Sequence, residues 1–283
     1  PGIAPKVKQA LHSSAATCAD SEHPIGVFDS GVGGLTILRA VAASLPHEML
    51  LYVADTAYLP YGQKSPDEIR RRARVITRFL VARQVKAIVV ACNTATAMAI
   101  DALRGEFALP FIGVEPAVKP AFAATRSGVV GVLATPATMD SARFRALVAR
   151  FGGGARLVTQ ACAGLAEHIE RGELDGEQTE QLLRGFVEPL LCAGADTIVL
   201  GCTHYPLVVE SVRRIAGPDV TVIENGGAVA RELSRQLEQR GLRRTQGEGG
   251  RRFHVSGSVA GLRKVLTALG ETNLGVESLP EDR

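Results

Sequence analysis

From Ile25 onward the chain alternates short apolar runs with longer segments of helical period, and most runs stop at a cluster of Gly, Asp, Asn, Ser or Thr. This alternation constrains the fold more than any other feature. It predicts parallel βαβ units, whose binding sites lie at the carboxyl ends of the strands. Ile25-Gly-Val-Phe28 reads as a buried strand, Asp29-Ser-Gly-Val-Gly-Gly34 as a Gly-rich turn, and Leu35 to Leu45 as a helix stopped by Pro46. A strand from Met49 to Ala54 leads into an aperiodic loop from Asp55 to Pro66, followed by a helix from Asp67 to Gln84 with Arg on its exposed face. Ala87 to Cys92 is then a strand ending at Asn93-Thr94-Ala95-Thr96, where a helix runs to about Arg104.

The pattern restarts. Val129 to Leu133 is a strand followed by Ala134-Thr-Pro-Ala-Thr138 and a helix from about Asp140 to Phe151, echoing the unit at Ile25. Thr197 to Cys202, followed by Thr203-His204-Tyr205, echoes the unit at Cys92. Gly26 to Cys92 spans 66 positions and Gly131 to Cys202 spans 71. Any two α/β segments share some spacing by chance, but a cysteine at the end of the corresponding strand in each favours an internal repeat. A helix Val208 to Ile215 and a strand Val220 to Ile223 complete the second half. The helix Ala228 to Arg240 and the strand Arg252 to Val255, with a solvated loop Gln246 to Gly250 between them, are too few for a third domain and are expected to pack on the first.

The expected architecture is therefore α/β, with two pseudo-symmetric domains of mainly parallel sheet flanked by helices and a site in the cleft between them. The boundaries read as a flexible tail at 1–23, a first domain at 24–117 plus 226–270, a second at 118–225, and a C-terminal tail at 271–283. A length of 283 residues fits two domains at roughly 150 residues each. Net charge is only +3, and aromatics are 5% with no Trp, which argues against nucleic-acid binding and base-stacking platforms. No run approaches the roughly 18 apolar residues of a membrane span. Five cysteines, an odd number in a chain too long to depend on disulfides, fit a reducing, cytoplasmic compartment.

A thiol at the end of a buried strand, beside a helix start, is both held and reachable, and backbone amides there favour its thiolate. Taken singly, Cys92 and Cys202 read as small buried hydrophobes. Taken together, each followed at once by hydrogen-bonding residues, they suggest more. Zinc binding by Cys92, Cys202 and His204 lacks the usual ligand spacing. A cysteine hydrolase leaves one thiol unexplained. Gly31-x-Gly33 lacks the third glycine of a dinucleotide loop, and Asp29-Ser-Gly is also readable as a plain turn and helix cap. Two thiols facing each other across a cleft suit inversion of a stereocentre, which needs a base on one face of a carbon and an acid on the other. Asp29 is placed to assist Cys92, and His204 to assist Cys202.

Four ordered segments carry a resemblance: Gly26-Val-Phe-Asp-Ser-Gly-Val-Gly-Gly-Leu35, Asp55-Thr-Ala-Tyr-Leu-Pro-Tyr-Gly62, Ala91-Cys-Asn-Thr-Ala-Thr96 and Gly201-Cys-Thr-His-Tyr-Pro-Leu207. From about Ile25 to Ser258 the chain resembles bacterial glutamate racemases. The resemblance implies cofactor-independent interconversion of L- and D-glutamate, supply of D-glutamate for peptidoglycan, and no metal. It implies that Cys202 takes the proton from L-glutamate and Cys92 from D-glutamate, and that substrate contacts fall on Asp29, Ser30, Tyr61, Gly62, Asn93, Thr94, Thr135, Thr138, Thr203 and His204. The family's acid near the second cysteine aligns with Glu170, with Glu167 as a near alternative. Cys162-Ala-Gly and Glu224-Asn-Gly226 depart from the common family pattern. The expected partners are the two glutamate enantiomers and a second copy of the chain in a homodimer. Aspartate racemisation, and a glutamate-binding module without catalysis, are the competing readings. Cys18, Cys162 and Cys192 are expected to be ordinary thiols.

Overall fold

A computed structural model describes residues 21–151, 154–271 and 275–280. The tail expected at the N-terminus, including Cys18, lies outside them up to residue 20. The described strands are β1 (Ile25–Asp29), β2 (Met49–Ala54), β3 (Ala87–Val90), β4 (Phe111–Gly113), β5 (Val129–Ala134), β6 (Arg156–Ala161), β7 (Thr197–Leu200), β8 (Thr221–Ile223), β9 (Gly250–Val255) and β10 (Val276–Ser278). Every pairing among them is parallel. They form one sheet in the order β10-β9-β2-β1-β3-β4 and a second in the order β6-β5-β7-β8.

The repeat read from spacing is present in the topology. Counted from the start of each half, both sheets place the second strand beside the first, then the third and the fourth. In each half the strand order reverses between the first and third strands, β1 and β3 or β5 and β7, and a crevice opens at such a switch point. Phe28 is in register with Val90 in one sheet, and Leu133 with Leu200 in the other. Asp29 and Cys92 therefore leave the first sheet at one switch point, and Thr135 and Cys202 leave the second at the equivalent one. Helix packing repeats as well. A Cβ on Gly26 would stand 2.9 Å from Leu80, in the helix Pro66–Val81, and one on Gly131 would stand 2.8 Å from Leu190, in the helix Glu177–Cys192. In both halves the missing side chain lets a helix settle on the first strand.

Both faces of each sheet are apolar and covered, as parallel sheets require. One core of the first domain joins Val27, Leu38, Tyr52 and Val89 to Leu233 of the helix Gly226–Gln239, and the other joins Phe28, Val53 and Ile88 to Ile69 and Ile76. In the second domain Leu133, Leu183, Ile198 and Leu200 fill one face, with Val130, Val132, Phe144 and Val199 on the other.

Several expectations shift. The segment from 271, read as a tail, contributes β10, paired with β9, and Leu279 packs into the core beyond it. Val276-Glu-Ser278 holds a single apolar residue, too little to betray a strand in sequence. The helix expected from Asp67 begins at Pro66, because Ser65 and Glu68 form a reciprocal capping box. The helix expected from Asp140 is split into a short turn of helix Pro136–Met139 and a helix Ala142–Phe151. Strands β4 and β6 and the helices Leu165–Glu170, Glu177–Cys192 and Val259–Ala268 were not anticipated.

Candidate active site

Cys92 is the N-cap of the helix Asn93–Glu106, and its Sγ accepts the Ala95 N–H at 3.4 Å. Short residues follow it, so the helix starts directly under the strand end. The thiol donates to Ser30 Oγ at 3.7 Å. Burial raises the Cys92 pKa well above its ordinary value, and the nearby Asp29 carboxylate pushes in the same direction; the Ala95 amide only partly offsets them. Cys92 therefore holds its proton.

Asp29 lies behind this thiol, wholly buried. Its Oδ1 accepts Ser30 N–H at 2.7 Å, and its Oδ2 accepts Gly34 N–H at 2.5 Å and the Thr203 hydroxyl at 3.3 Å. Burial raises its pKa, against the opposing pull of His204 and these amides.

Cys202 ends the equivalent strand of the other domain with a different surrounding. Its chain continues into a single 3-10 turn, Tyr205–Val208, so no long helix is capped by the thiol. His204 Nδ1 sits 3.7 Å from Cys202 Sγ, and His204 Nε2 donates to Glu170 Oε1 at 2.6 Å. Burial lowers the His204 pKa, but its hydrogen bonds to Cys202 and Glu170 outweigh that and carry it well above the ordinary imidazole value. The imidazole is thereby kept cationic beside the thiol.

Both cysteines open onto one cleft of about 620 Å³ between the domains, its mouth included. Of the residues predicted for the site, Ser30, Tyr61, Gly62, Cys92, Asn93, Thr94, Thr135, Cys202, Thr203 and His204 line it. Asp29, Thr138 and Glu170 stand one layer behind. Thr138 bonds to Thr135 at 2.9 Å and approaches Thr94 at 3.4 Å, joining the two domains by hydroxyls. Of the two candidate acids, Glu170 meets His204, whereas Glu167 lines the cleft and accepts a hydrogen bond from Gln63 at 3.0 Å. The Asn93 side chain is 3% exposed, and neither its oxygen nor its nitrogen has a protein partner. A buried amide in that state has hydrogen-bonding capacity that the protein itself leaves unused. Among the described residues no Lys or Arg lines the cleft, and no group of three His, Cys, Asp or Glu is gathered as for a metal ion.

Sequence reasoning missed two supports. Asp55 accepts from Tyr61 OH at 2.6 Å and is gripped by Arg72 through Nε at 3.1 Å and Nη2 at 2.9 Å. The signal for Asp55 was present, since it follows β2 directly as Asp29 closes β1; nothing marked Arg72 among the other arginines of its helix. Cys162, read as an ordinary thiol, lines the cleft, although burial pushes its pKa up to about 12.

A family model described as Asp/Glu/hydantoin racemase matches residues 35–233. The chain belongs to that family. It is thus a racemase, an isomerase. Its relatives include a glutamate racemase of Stutzerimonas stutzeri, 51% identical over 93% of this chain and 99% of that one. Among solved structures, a glutamate racemase isoform of Bacillus anthracis superposes with a TM-score of 0.86 at 32% identity, covering 92% of this chain and 98% of that one. The glutamate racemase of Francisella tularensis, solved with D-glutamate, superposes with a TM-score of 0.80 at 31% identity over 92% and 98% of the two chains. These neighbours share the two-domain fold.

Proposed function

We propose that the chain interconverts L- and D-glutamate by a two-base mechanism in which Cys92 and Cys202 act from opposite faces of the substrate Cα. The observation that carries the reading is the pair of thiols at equivalent switch points of two like domains, both lining one cleft. Cys202, beside a cationic imidazole, enters as thiolate and removes the α-proton of L-glutamate; Cys92, which holds its proton, delivers it to the other face. For D-glutamate the roles reverse. His204 balances the Cys202 thiolate, and Glu170 keeps His204 charged and aimed.

The substrate brings two carboxylates and one ammonium into a cleft without Lys or Arg. Asn93, Thr94, Thr135 and Thr203 supply neutral donors, with Ser30 and loop amides beside them, and Thr138 braces Thr94 and Thr135 from behind. Asp29 is placed between the two half-sites and touches Ser30 and Thr203 at once. Tyr61, held by Asp55, and Gly62 close one wall. The reading includes action without a cofactor, a cytoplasmic homodimer, and D-glutamate supplied for peptidoglycan. Among the described residues no helix is long and apolar enough to cross a membrane. Polarimetry with L-glutamate and, separately, L-aspartate tests it: rotation decays to zero with glutamate. Preferential decay with aspartate, or glutamate binding without decay, contradicts it.

A further inference from the structure

The glycines of the first turn fail to make a nucleotide loop, and the structure gives them another use. Glu170 Oε1 accepts two hydrogen bonds, one from His204 Nε2 at 2.6 Å in its own domain and one from the Val32 backbone N–H at 2.7 Å in the other domain. That approach depends on the residues flanking Val32. A Cβ on Gly31 would stand 1.9 Å from Glu170 Oε1. A Cβ on Gly33 would stand 2.6 Å from His204 Nδ1 and 2.7 Å from the His204 backbone nitrogen. A side chain at Gly31 would displace the Glu170 carboxylate from Val32, and one at Gly33 would meet the His204 backbone and hold the second domain away. The turn itself is pinned, with Tyr52 OH donating to Gly31 O at 2.7 Å and Asp29 accepting Gly34 N–H and Ser30 N–H. Thr36 Oγ1 donates to Thr203 O at 3.2 Å across the same seam.

We propose that Gly31, Val32 and Gly33 form a docking seat for the second domain, coupling closure of the cleft to the orientation of the Glu170–His204 pair. The proposal rests on the reading of Cys202 and His204 given above. The seat consists of positioning residues: the Val32 N–H holds the carboxylate that aims the imidazole, and the two glycines leave room for it. With the domains parted, Glu170 loses its Val32 donor and the imidazole loses a fixed support. The basic half-site around Cys202 is then complete only when the cleft is shut, which ties proton abstraction to substrate enclosure.

The test compares the wild-type protein with Gly31→Ala, Gly31→Ala/Glu170→Asp and Gly33→Ala, using Gly185→Ala as a handling control because a Cβ there meets nothing within 4 Å. Losing a charge-assisted hydrogen bond of this kind should lower kcat about ten- to hundredfold in Gly31→Ala, with KM less affected. Shortening the acid by one methylene removes its clash with the new methyl, leaving only the flexible Leu59 Cδ1 at 2.4 Å to shift, so the double variant should exceed Gly31→Ala in kcat. Gly33→Ala, whose clash includes backbone, should be at least as slow. A kcat for Gly31→Ala within about twofold of wild type, or a double variant no faster than the single, overturns the seat. Hydrogen exchange in the wild-type chain provides a readout that needs no variant to fold: saturating glutamate should slow exchange of the Val32 amide, and an unchanged rate overturns the seat. Wild-type racemisation is measured first. Its absence would overturn the catalytic reading, leaving the seat to stand or fall on Val32 exchange alone.

Discussion

The two cysteine half-sites share a scaffold and differ in their charge. Each thiol ends the third strand of a sheet of the same order, yet Cys92 faces a buried carboxylate and Cys202 faces an imidazolium. A repeated fold supplies the opposed geometry, and a few unlike side chains give the two thiols different electrostatic surroundings. The supports differ in kind as well. Loop 55–63 on the Cys92 side is braced by the Asp55–Arg72 ion pair, whereas the Cys202 side leans on Glu170, itself held by an amide of the opposite domain.

The sharpest break in this comparison is to remove either thiol. Cys92→Ala and Cys202→Ala should each reduce racemisation by more than about a thousandfold in a protein of unchanged melting temperature, since acid and base are both needed in each direction. Polarimetry reads the loss, and normal activity in either variant refutes that thiol's role. Next in size is Arg72→Ala, which leaves Asp55 charged, buried and unpaired. A stability loss of about 3–5 kcal/mol in urea unfolding is expected, and an unchanged midpoint would remove Arg72 from the account.

Glu170→Gln should lower kcat about a hundredfold. Because the enantiomers have equal free energy in solution, kcat/KM must fall equally from both sides, and any asymmetry between the half-sites is visible only in the separate kcat values. The variant also has a pH signature. The proton on His204 is lost as pH rises through its elevated native pKa, so activity falls on the alkaline side. Removing the Glu170 charge lowers that pKa and should move the alkaline limb to lower pH; a limb that stays put assigns it to another group.

Asn93→Ala should raise KM about tenfold without lowering the melting temperature, because the amide it deletes makes no protein hydrogen bond. A normal KM would mean that Asn93 does not meet substrate. The smallest effect belongs to Cys162→Ala. Its thiol lines the same cleft but stays neutral at working pH, and kcat should remain within about threefold. A loss comparable to Cys202→Ala would make it a third participant.

The fold was legible wherever a strand ended in chemistry. β1, β3, β5 and β7 each run straight into polar turns, and their alternation with helices was enough to place both cysteines at sheet ends. What escaped was held together across long sequence separations. β10 is three residues long, and Arg72 is one of several arginines on its helix until Asp55 selects it. The meeting of Glu170 with Val32, 138 positions away, depends on glycines that look like turn formers in sequence. Cys162, expected to be an ordinary thiol, is buried with a raised pKa, and its place on the cleft wall beside the helix Leu165–Glu170 was not legible because that helix was not.

The central claim is that the proton leaves one face of Cα and another arrives on the opposite face. Incubating L-glutamate of natural isotopic composition with the enzyme in deuterium oxide, and separating the enantiomers early in the reaction, tests this directly. The account predicts D-glutamate carrying deuterium at Cα while the remaining L-glutamate stays protiated. D-glutamate that retains the original hydrogen would contradict it, as would equal deuterium in both enantiomers from the first turnovers.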